Sequence, residues 1–161
     1  MRAVSSFVLI GLCAILIACS PAQSRDTVAL DVYKSPTCGC CALWVDHAED
    51  RGFSFRVHHL NNDELTLEKL RRGIGLRYHS CHTAVAENGA VFEGHIPAHL
   101  ISRYLDDTPA DSIGLAVPGM PIGSPGMEVG DRLQPYDVLL LKKDGTAELY
   151  AQVTDLQSQY Q

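Results

Sequence analysis

The chain has 161 residues, of which 46% are hydrophobic and 20% are charged, and these are ordinary values for a globular protein with an apolar core. Its formal net charge of -6 argues against a nucleic-acid partner, because binding to a duplex needs a basic patch. The 6 cysteines and 7 histidines are the unusual part of the composition.

The first segment predicts export and lipid attachment. Arg2 gives a short basic start, and the apolar stretch FVLIGLCAILIA at 7–18 has the length of a signal peptide rather than of a transmembrane helix. The stretch ends in LIAC, which resembles the bacterial lipobox. We therefore predict a lipoprotein signal peptide at 1–18 and lipidation of Cys19, and Ser20 after it favours the outer membrane. The alternative is an ordinary secretory peptide.

The next segments alternate between strand and helix patterns. Residues 19–27 are small and polar and are predicted to form a tether, and 28–161 are predicted to form a single domain. Period-2 alternation, helical periodicity and the turn signals Gly52 and Asn88-Gly89 separate the elements. In chain order they are a strand at 28–33, a helix at 39–51, a strand at 53–59, a helix at 63–72 capped by Asn62, strands at 82–87 and 90–94, and a helix from Pro97 to Leu105.

The last third of the chain has a different character. Residues 108–130 are rich in proline and glycine and show no periodicity, so we predict a long ordered loop. Two apolar runs, 137–142 and 146–153, flank Asp144-Gly145 and predict a hairpin. The element order therefore predicts an α/β, thioredoxin-like fold: a central mixed sheet flanked by helices, with a C-terminal loop and β-hairpin addition.

Three thiols lie within four residues at the predicted start of the first helix: Cys38, Cys40 and Cys41. Free backbone N–H groups and the helix dipole stabilise thiolates there. Two thiolates about 4 Å apart still repel by roughly 4 kcal/mol at an effective dielectric constant near 20. Three are therefore tolerable only with a cation among them, or with two of them joined in a disulfide.

Two functions fit this cluster. Cys38 and Cys41 have the Cys-x-x-Cys spacing of a redox-active dithiol, which predicts a thiol–disulfide oxidoreductase. A third thiol beside such a pair invites disulfide scrambling, and Cys-x-Cys-Cys supplies more donors than a redox pair needs. The cluster therefore favours a thiolate metal site over a redox pair.

Cys81 supplies a fourth thiol. In a thioredoxin-like chain, the residue before the third strand lies against the start of the first helix, and Cys81 holds this place. Thiolates suit soft ions: Cu(I), Zn(II) and iron–sulfur clusters. Zinc pairs commonly use Cys-x2-4-Cys spacings, whereas adjacent thiolates suit bridging of several Cu(I) ions. A structural zinc site nevertheless stays open as an alternative.

Three long segments resemble the periplasmic copper-resistance family called CopG, formerly catalogued as a domain of unknown function: YKSPTCGCCALWVDH, HSCHTAVAENGAVFEGHIPA and GLAVPGMPIGSPGMEVG, followed by YDVLLL. The resemblance implies a thioredoxin-like protein that binds several copper ions bridged by cysteines. Carried onto this chain, it implies metal ligation by Cys38, Cys40, Cys41 and Cys81. It also implies a role in copper tolerance and leaves enzymatic redox activity open.

Weaker metal candidates surround these cysteines. Met120 and Met127 lie in two Pro-Gly-Met repeats, and thioether sulfur is a Cu(I) ligand that resists disulfide formation. His79 and His82 flank Cys81 and can ligate copper or donate a hydrogen bond to a ligand. His95 follows a strand at a place that can face the same site.

The sequence thus predicts a copper-binding periplasmic lipoprotein, with more than one Cu(I) ion held by the cysteine cluster. Sequestration, transfer and redox handling of copper all fit this prediction. The expected partners are copper ions, the membrane through the lipid anchor, and a copper exporter or periplasmic copper chaperone. A periplasmic thiol–disulfide oxidoreductase using Cys38 and Cys41 is the alternative.

Overall fold

The structure is a computed structural model that describes residues 27–160. The predicted signal peptide at 1–18, the predicted lipidation site Cys19 and nearly all of the predicted tether lie outside the described residues. Within residues 27–160, no helix has both the length and the apolar character needed to cross a membrane.

Seven strands form one mixed sheet: β1 (Val28–Lys34), β2 (Phe53–His59), β3 (His82–Ala86), β4 (Val91–Glu93), β5 (Ser112–Ala116), β6 (Tyr136–Lys142) and β7 (Ala147–Val153). Their order across the sheet is β2-β1-β3-β4-β5-β6-β7. The β1–β2 and β4–β5 pairs are parallel and the other four pairs are antiparallel.

Three α-helices accompany the sheet: α1 (Gly39–Glu49), α2 (Asn62–Arg71) and α3 (Ala98–Asp106). Short 3-10 turns occupy Leu76–Tyr78 and Gln157–Gln159. Apolar side chains of α1 and α3 share the larger core with one face of the sheet, where Trp44, Phe92 and Ile101 are fully buried. A smaller core contains Ile74, Val91, Ala116 and Leu141. Successive residues such as Val91 and Phe92 therefore belong to different cores, because successive side chains of a strand point to opposite faces of the sheet.

The predicted mixed α/β class, with a central sheet and flanking helices, is confirmed. The predicted elements through α3 are present with small differences at their ends, and the C-terminal hairpin is present as β6 and β7. That hairpin extends the same sheet because β6 pairs with β5. The thioredoxin-like assignment stays a prediction.

The predicted cap of the second helix is wrong by one residue. Asn61, not Asn62, is the N-cap: its side chain accepts hydrogen bonds from the backbone N–H groups of Asp63 and Glu64, both at 3.0 Å. The Glu64 carboxylate in turn accepts the Asn61 N–H at 3.0 Å. This reciprocal capping box needs the glutamate three residues after the cap, which selects Asn61.

The prediction of a long ordered loop over residues 108–130 is also wrong in part, because β5 lies within it. Strand β5 pairs with β4 on one side and β6 on the other, and four of its five residues are buried. Leu115 and Ala116 belong to the two different cores, so both faces of this short strand are covered and polar and apolar residues do not alternate along it. The strand also contains Gly114, a residue that does not indicate a strand in the sequence. Glycine is required there because a Cβ would collide with the Val91 carbonyl oxygen.

Candidate metal centre

The Cys-x-Cys-Cys segment lies where β1 leads into α1. Strand β1 ends at Lys34, and a turn follows in which the Cys38 N–H donates to the Ser35 carbonyl oxygen at 3.2 Å. Cys38 is the N-cap of α1, in extended backbone conformation, and no side chain caps the helix there. The first N–H groups of α1 therefore have no side-chain partner, and the positive end of the helix dipole beside the thiols favours negative charge on sulfur.

The four predicted cysteines lie together in space. The Sγ atoms of Cys38, Cys40, Cys41 and Cys81 all lie within 4.8 Å of one another. Cys38 and Cys41 are joined as a disulfide, whereas Cys40 and Cys81 are free thiols. The Cys40 Sγ is 3.6 Å from the Cys38 Sγ, so the third thiol borders the disulfide directly. In this state two of the four sulfurs cannot act as thiolates.

Cys81 faces this group from the residue before β3. The desolvation that accompanies burial, together with the neighbouring Cys40 thiol, raises the pKa of Cys81 to about 12, so its sulfur is a neutral thiol at pH 7. Its Sγ lies 3.0 Å from His95 Nε2 and 3.3 Å from His82 Nδ1. Cys81 therefore contacts two imidazoles as well as the cysteine cluster.

Both imidazoles are fully buried and neutral. Burial lowers the pKa of His82 well below its usual value, and burial also lowers the pKa of His95. The His82 ring packs against Trp44, with ring centroids 4.4 Å apart. The Trp44 Nε1–H donates to the Ile96 carbonyl oxygen at 2.9 Å. Trp44 thus forms an apolar wall behind His82, in addition to its place in the core.

The backbone around Cys81 is fixed by a buried ion pair that sequence reasoning missed. Lys69 Nζ lies 2.5 Å from Glu93 Oε1 and donates to the Ser80 carbonyl oxygen at 2.6 Å. Glu93 accepts the Ser80 N–H at 2.5 Å and the Thr83 hydroxyl. The pair therefore holds the residues on both sides of Cys81 and His82. A glutamate within the apolar run VFEGHI at 91–96 was the available sequence signal.

The other weak candidates are placed differently. The His79 Nε2 forms a hydrogen bond with the Ile74 carbonyl oxygen at 3.0 Å, although His79 lines the same cleft as Cys81. Met120 is 52% exposed. Met127 is half-buried and directly follows Gly126, which lies against the Cys40 carbonyl oxygen. The structure thus places His82 in contact with Cys81, whereas one nitrogen of His79 forms a hydrogen bond with a backbone carbonyl group.

The chain is similar to one described protein family and to two solved structures. The family described as "Protein of unknown function, DUF411" matches residues 78–127, which include Cys81, both buried histidines and the Pro-Gly-Met repeats. No curated protein matches the chain. Two solved structures do match, with the titles "Copper resistance protein copG- Form 1" and "Copper resistance protein copG- Form 2".

The first of these is 41% identical, with a TM-score of 0.73, over 79% of this chain and 98% of the other chain. The second is also 41% identical, with a TM-score of 0.72, over 80% of this chain and 99% of the other chain. The fold and the cysteine cluster define a mixed α/β protein with a candidate soft-metal centre. The chain belongs to the CopG family of copper-resistance proteins, which confirms the resemblance found in the sequence.

Proposed function

We propose that this protein binds more than one Cu(I) ion through bridging thiolates of Cys38, Cys40, Cys41 and Cys81, as part of copper resistance. The observation that carries the proposal is the convergence of four sulfur atoms within 4.8 Å at the start of a helix. The titles of the two related structures support copper as the metal. Sulfur donors also match the softness of Cu(I).

Copper binding by all four cysteines requires reduction of the Cys38–Cys41 disulfide. A dithiol reductant supplies two electrons and two protons, the S–S bond breaks, and the reductant is left as a disulfide. The resulting thiols repel one another as thiolates, so cations must take the place of the protons that leave. Several Cu(I) ions shared among four sulfurs satisfy this requirement.

The lipid anchor and the location belong to the same proposal. Cleavage after residue 18 and lipidation of Cys19 would attach the domain to the membrane by a short polar tether, with the outer membrane favoured. In the periplasm, the protein would sequester copper, transfer it to or from an exporter or periplasmic chaperone, or handle its redox state. The LIAC sequence supports the anchor, and the CopG relationship supports the periplasm.

A competition titration tests the proposal. The soluble form lacking residues 1–19 is reduced, kept anaerobic and titrated with Cu(I) against a chromophoric chelator. We expect uptake of more than one copper per chain, and a lower number after Cys81→Ser. Thr66→Ala is the matched control, since Thr66 lines the same cleft as Cys81 without supplying sulfur. Failure of the reduced protein to compete with the chelator would contradict the proposal.

The disulfide itself favours a second candidate, a periplasmic thiol–disulfide oxidoreductase. Cys38 is half-buried at the N-terminus of α1, where a leaving thiolate is stabilised, and Cys41 is buried beneath it. This function predicts turnover in a disulfide-reduction assay that survives both Cys40→Ser and Cys81→Ser. Copper binding predicts the opposite sensitivity, because those two residues then supply bridging ligands.

A further inference from the structure

We infer that Cys81, His82 and His95 form a second metal site, for Cu(II), which remains available when Cys38 and Cys41 are joined in a disulfide. The inference rests on the proposed function for the identity of the metal, and it shares one ligand with the proposed Cu(I) cluster. It goes beyond that function because the ligands differ and because the site binds metal while the Cys38–Cys41 disulfide is intact, whereas the Cu(I) cluster requires its reduction.

The geometry of the three side chains suits one ion. One ligand atom from each of Cys81, His82 and His95 lies within 4.8 Å of the others. The Cys81 Sγ is 3.0 Å from one imidazole nitrogen and 3.3 Å from the other. A cation that binds a sulfur at about 2.3 Å and nitrogens at about 2.0 Å needs donors at separations of this order.

His95 is oriented as a ligand. Its Nδ1 lies 2.8 Å from the Pro125 carbonyl oxygen, which can only accept, so Nδ1 carries the proton. In the neutral ring the lone pair is therefore on Nε2, which is the atom that faces the Cys81 Sγ. Ligating histidines in metalloproteins are commonly held by the same kind of N–H to carbonyl hydrogen bond.

His82 provides the independent observation. The residue has 0% exposure, and its Nε2 has no hydrogen-bond partner. An imidazole held in the core with an unpartnered nitrogen destabilises the fold, and an apolar side chain packed against Trp44 would avoid that cost. The ligating atom is the other ring nitrogen, Nδ1, whose polar neighbour is the thiol of Cys81, so a metal ion there leaves Nε2 as it is. Ligation gives this buried ring a function that core packing does not.

The donor set selects the ion. One thiolate and two imidazoles match the ligands that proteins use for Cu(II), whereas a set of thiolates alone matches Cu(I). The disulfide removes Cys38 and Cys41 as ligands but leaves all three donors of the second site unchanged. A cleft of about 450 Å3, lined by Cys38, Lys69, Ser80 and Cys81 among others, reaches the thiol from solvent. A metal ion can therefore reach the Cys81 sulfur from solvent.

Co(II) is a suitable probe because it binds similar ligands without oxidising thiols. The form lacking residues 1–19, which keeps every described strand and helix, is used with its disulfide intact. Cys40→Ser removes the other free thiol. We expect one Co(II) per chain, with a thiolate-to-metal charge-transfer band, and displacement of Co(II) by added Cu(II), which binds more tightly to such donors.

Three substitutions in that background identify the ligands. His95→Gln and His82→Gln each weaken Co(II) binding at least about tenfold, because even loss of an outer hydrogen-bond partner of a ligand costs roughly 10- to 100-fold. Cys81→Ser removes the charge-transfer band and is the least disruptive change, since Cys81 is only half-buried. His59→Gln, at an exposed residue of β2, is the matched control and leaves affinity unchanged.

Absence of the thiolate band in the disulfide form overturns the inference, and so does unchanged affinity in both histidine variants. Cu(I) titration of the reduced protein, run in parallel, separates this result from a failure of the proposed function. The reduced protein takes up Cu(I) through its four thiols whether or not the oxidised protein holds Co(II).

Discussion

Gly126 lies directly against the backbone of Trp44. A Cβ atom added at Gly126 would be 2.7 Å from the Trp44 amide nitrogen and 2.6 Å from the Cys40 carbonyl oxygen. The second Pro-Gly-Met repeat is therefore packed onto the first turns of α1, beside the cysteine cluster. The Pro125 carbonyl oxygen in the same repeat also accepts the hydrogen bond from His95. This repeat thus covers the candidate metal centre.

Gly126→Ala is expected to lift this repeat from α1. The residue has φ of +83°, and the added methyl meets backbone atoms that cannot move independently. We expect a loss of about 2–4 kcal/mol in the free energy of unfolding, from left-handed strain and overpacking together. Urea unfolding followed by the fluorescence of the single tryptophan, Trp44, measures it.

Gly119→Ala is the matched control for that change. Gly119 has φ of +71° in the first Pro-Gly-Met repeat, but an added Cβ meets no atom within 4 Å. Only the backbone strain remains, and we expect a loss of about 1 kcal/mol. Equal effects of the two substitutions would contradict the close packing of Gly126 on α1.

Lys69→Met is expected to be strongly destabilising. It leaves the Glu93 carboxylate buried and unpaired, which costs about 3–5 kcal/mol of the free energy of unfolding. Lys142→Met breaks the exposed pair with Glu148 and should cost at most about 1 kcal/mol. Addition of Glu93→Gln to Lys69→Met should recover part of the loss, because the unpaired charge disappears. Additive losses in the double variant would argue against a buried ion pair.

The state of the cysteines can be read by counting thiols. The form lacking residues 1–19 contains four cysteines, and the structure joins two of them. Alkylation under denaturing conditions followed by mass measurement should therefore show two labels before reduction and four after it. Peptide mapping should assign the two early labels to Cys40 and Cys81. Early labelling of Cys38 or Cys41 would show a different pairing.

His47 should make the fold sensitive to mild acid. Burial lowers its pKa to about 4, whereas the unfolded chain binds a proton near 6.5. Stability is therefore complete above pH 6.5 and falls as the pH drops toward 4, since the unfolded state takes up the proton first. From pH 7.5 to pH 5 the His47 contribution is about 1–2 kcal/mol of lost unfolding free energy.

His47→Gln should remove that share of the pH dependence. Glutamine can still accept the Ala98 N–H that the His47 Nε2 accepts at 3.3 Å. Urea unfolding at the two pH values measures the difference, with the exposed substitution His59→Gln as the matched control. Identical pH slopes for the wild type and His47→Gln would show that His47 titrates equally in both states.

Local signals were sufficient to predict most of the fold. Alternation predicted β1 and β2, and Asn88-Gly89 predicted the hairpin of β3 and β4. Strand β5 was missed because both of its faces are covered, which removes the alternation, and because no two-residue hairpin turn adjoins it. Local patterns thus predict an element when one of its faces meets solvent or when a hairpin signal adjoins it, as it does the fully buried β3.

The four cysteines of the candidate centre could be predicted from the sequence, but the buried ion pair that holds the backbone around Cys81 could not. Cys38, Cys40 and Cys41 are adjacent in sequence, and Cys81 was placed by the predicted element order. The Lys69–Glu93 pair joins a helix to a strand 24 residues away, so no local pattern indicates it. The spacing of the cysteines left both a metal and a disulfide possible, and the choice between them depends on the redox state of the protein.

X-ray absorption at the copper edge of the reduced, Cu(I)-loaded protein tests the central claim most directly. Bridging thiolates predict a first shell of sulfur around copper and a second scattering path between neighbouring copper ions. A first shell of nitrogen or oxygen, or sulfur-bound copper without a copper–copper path, would contradict a cluster built on Cys38, Cys40, Cys41 and Cys81.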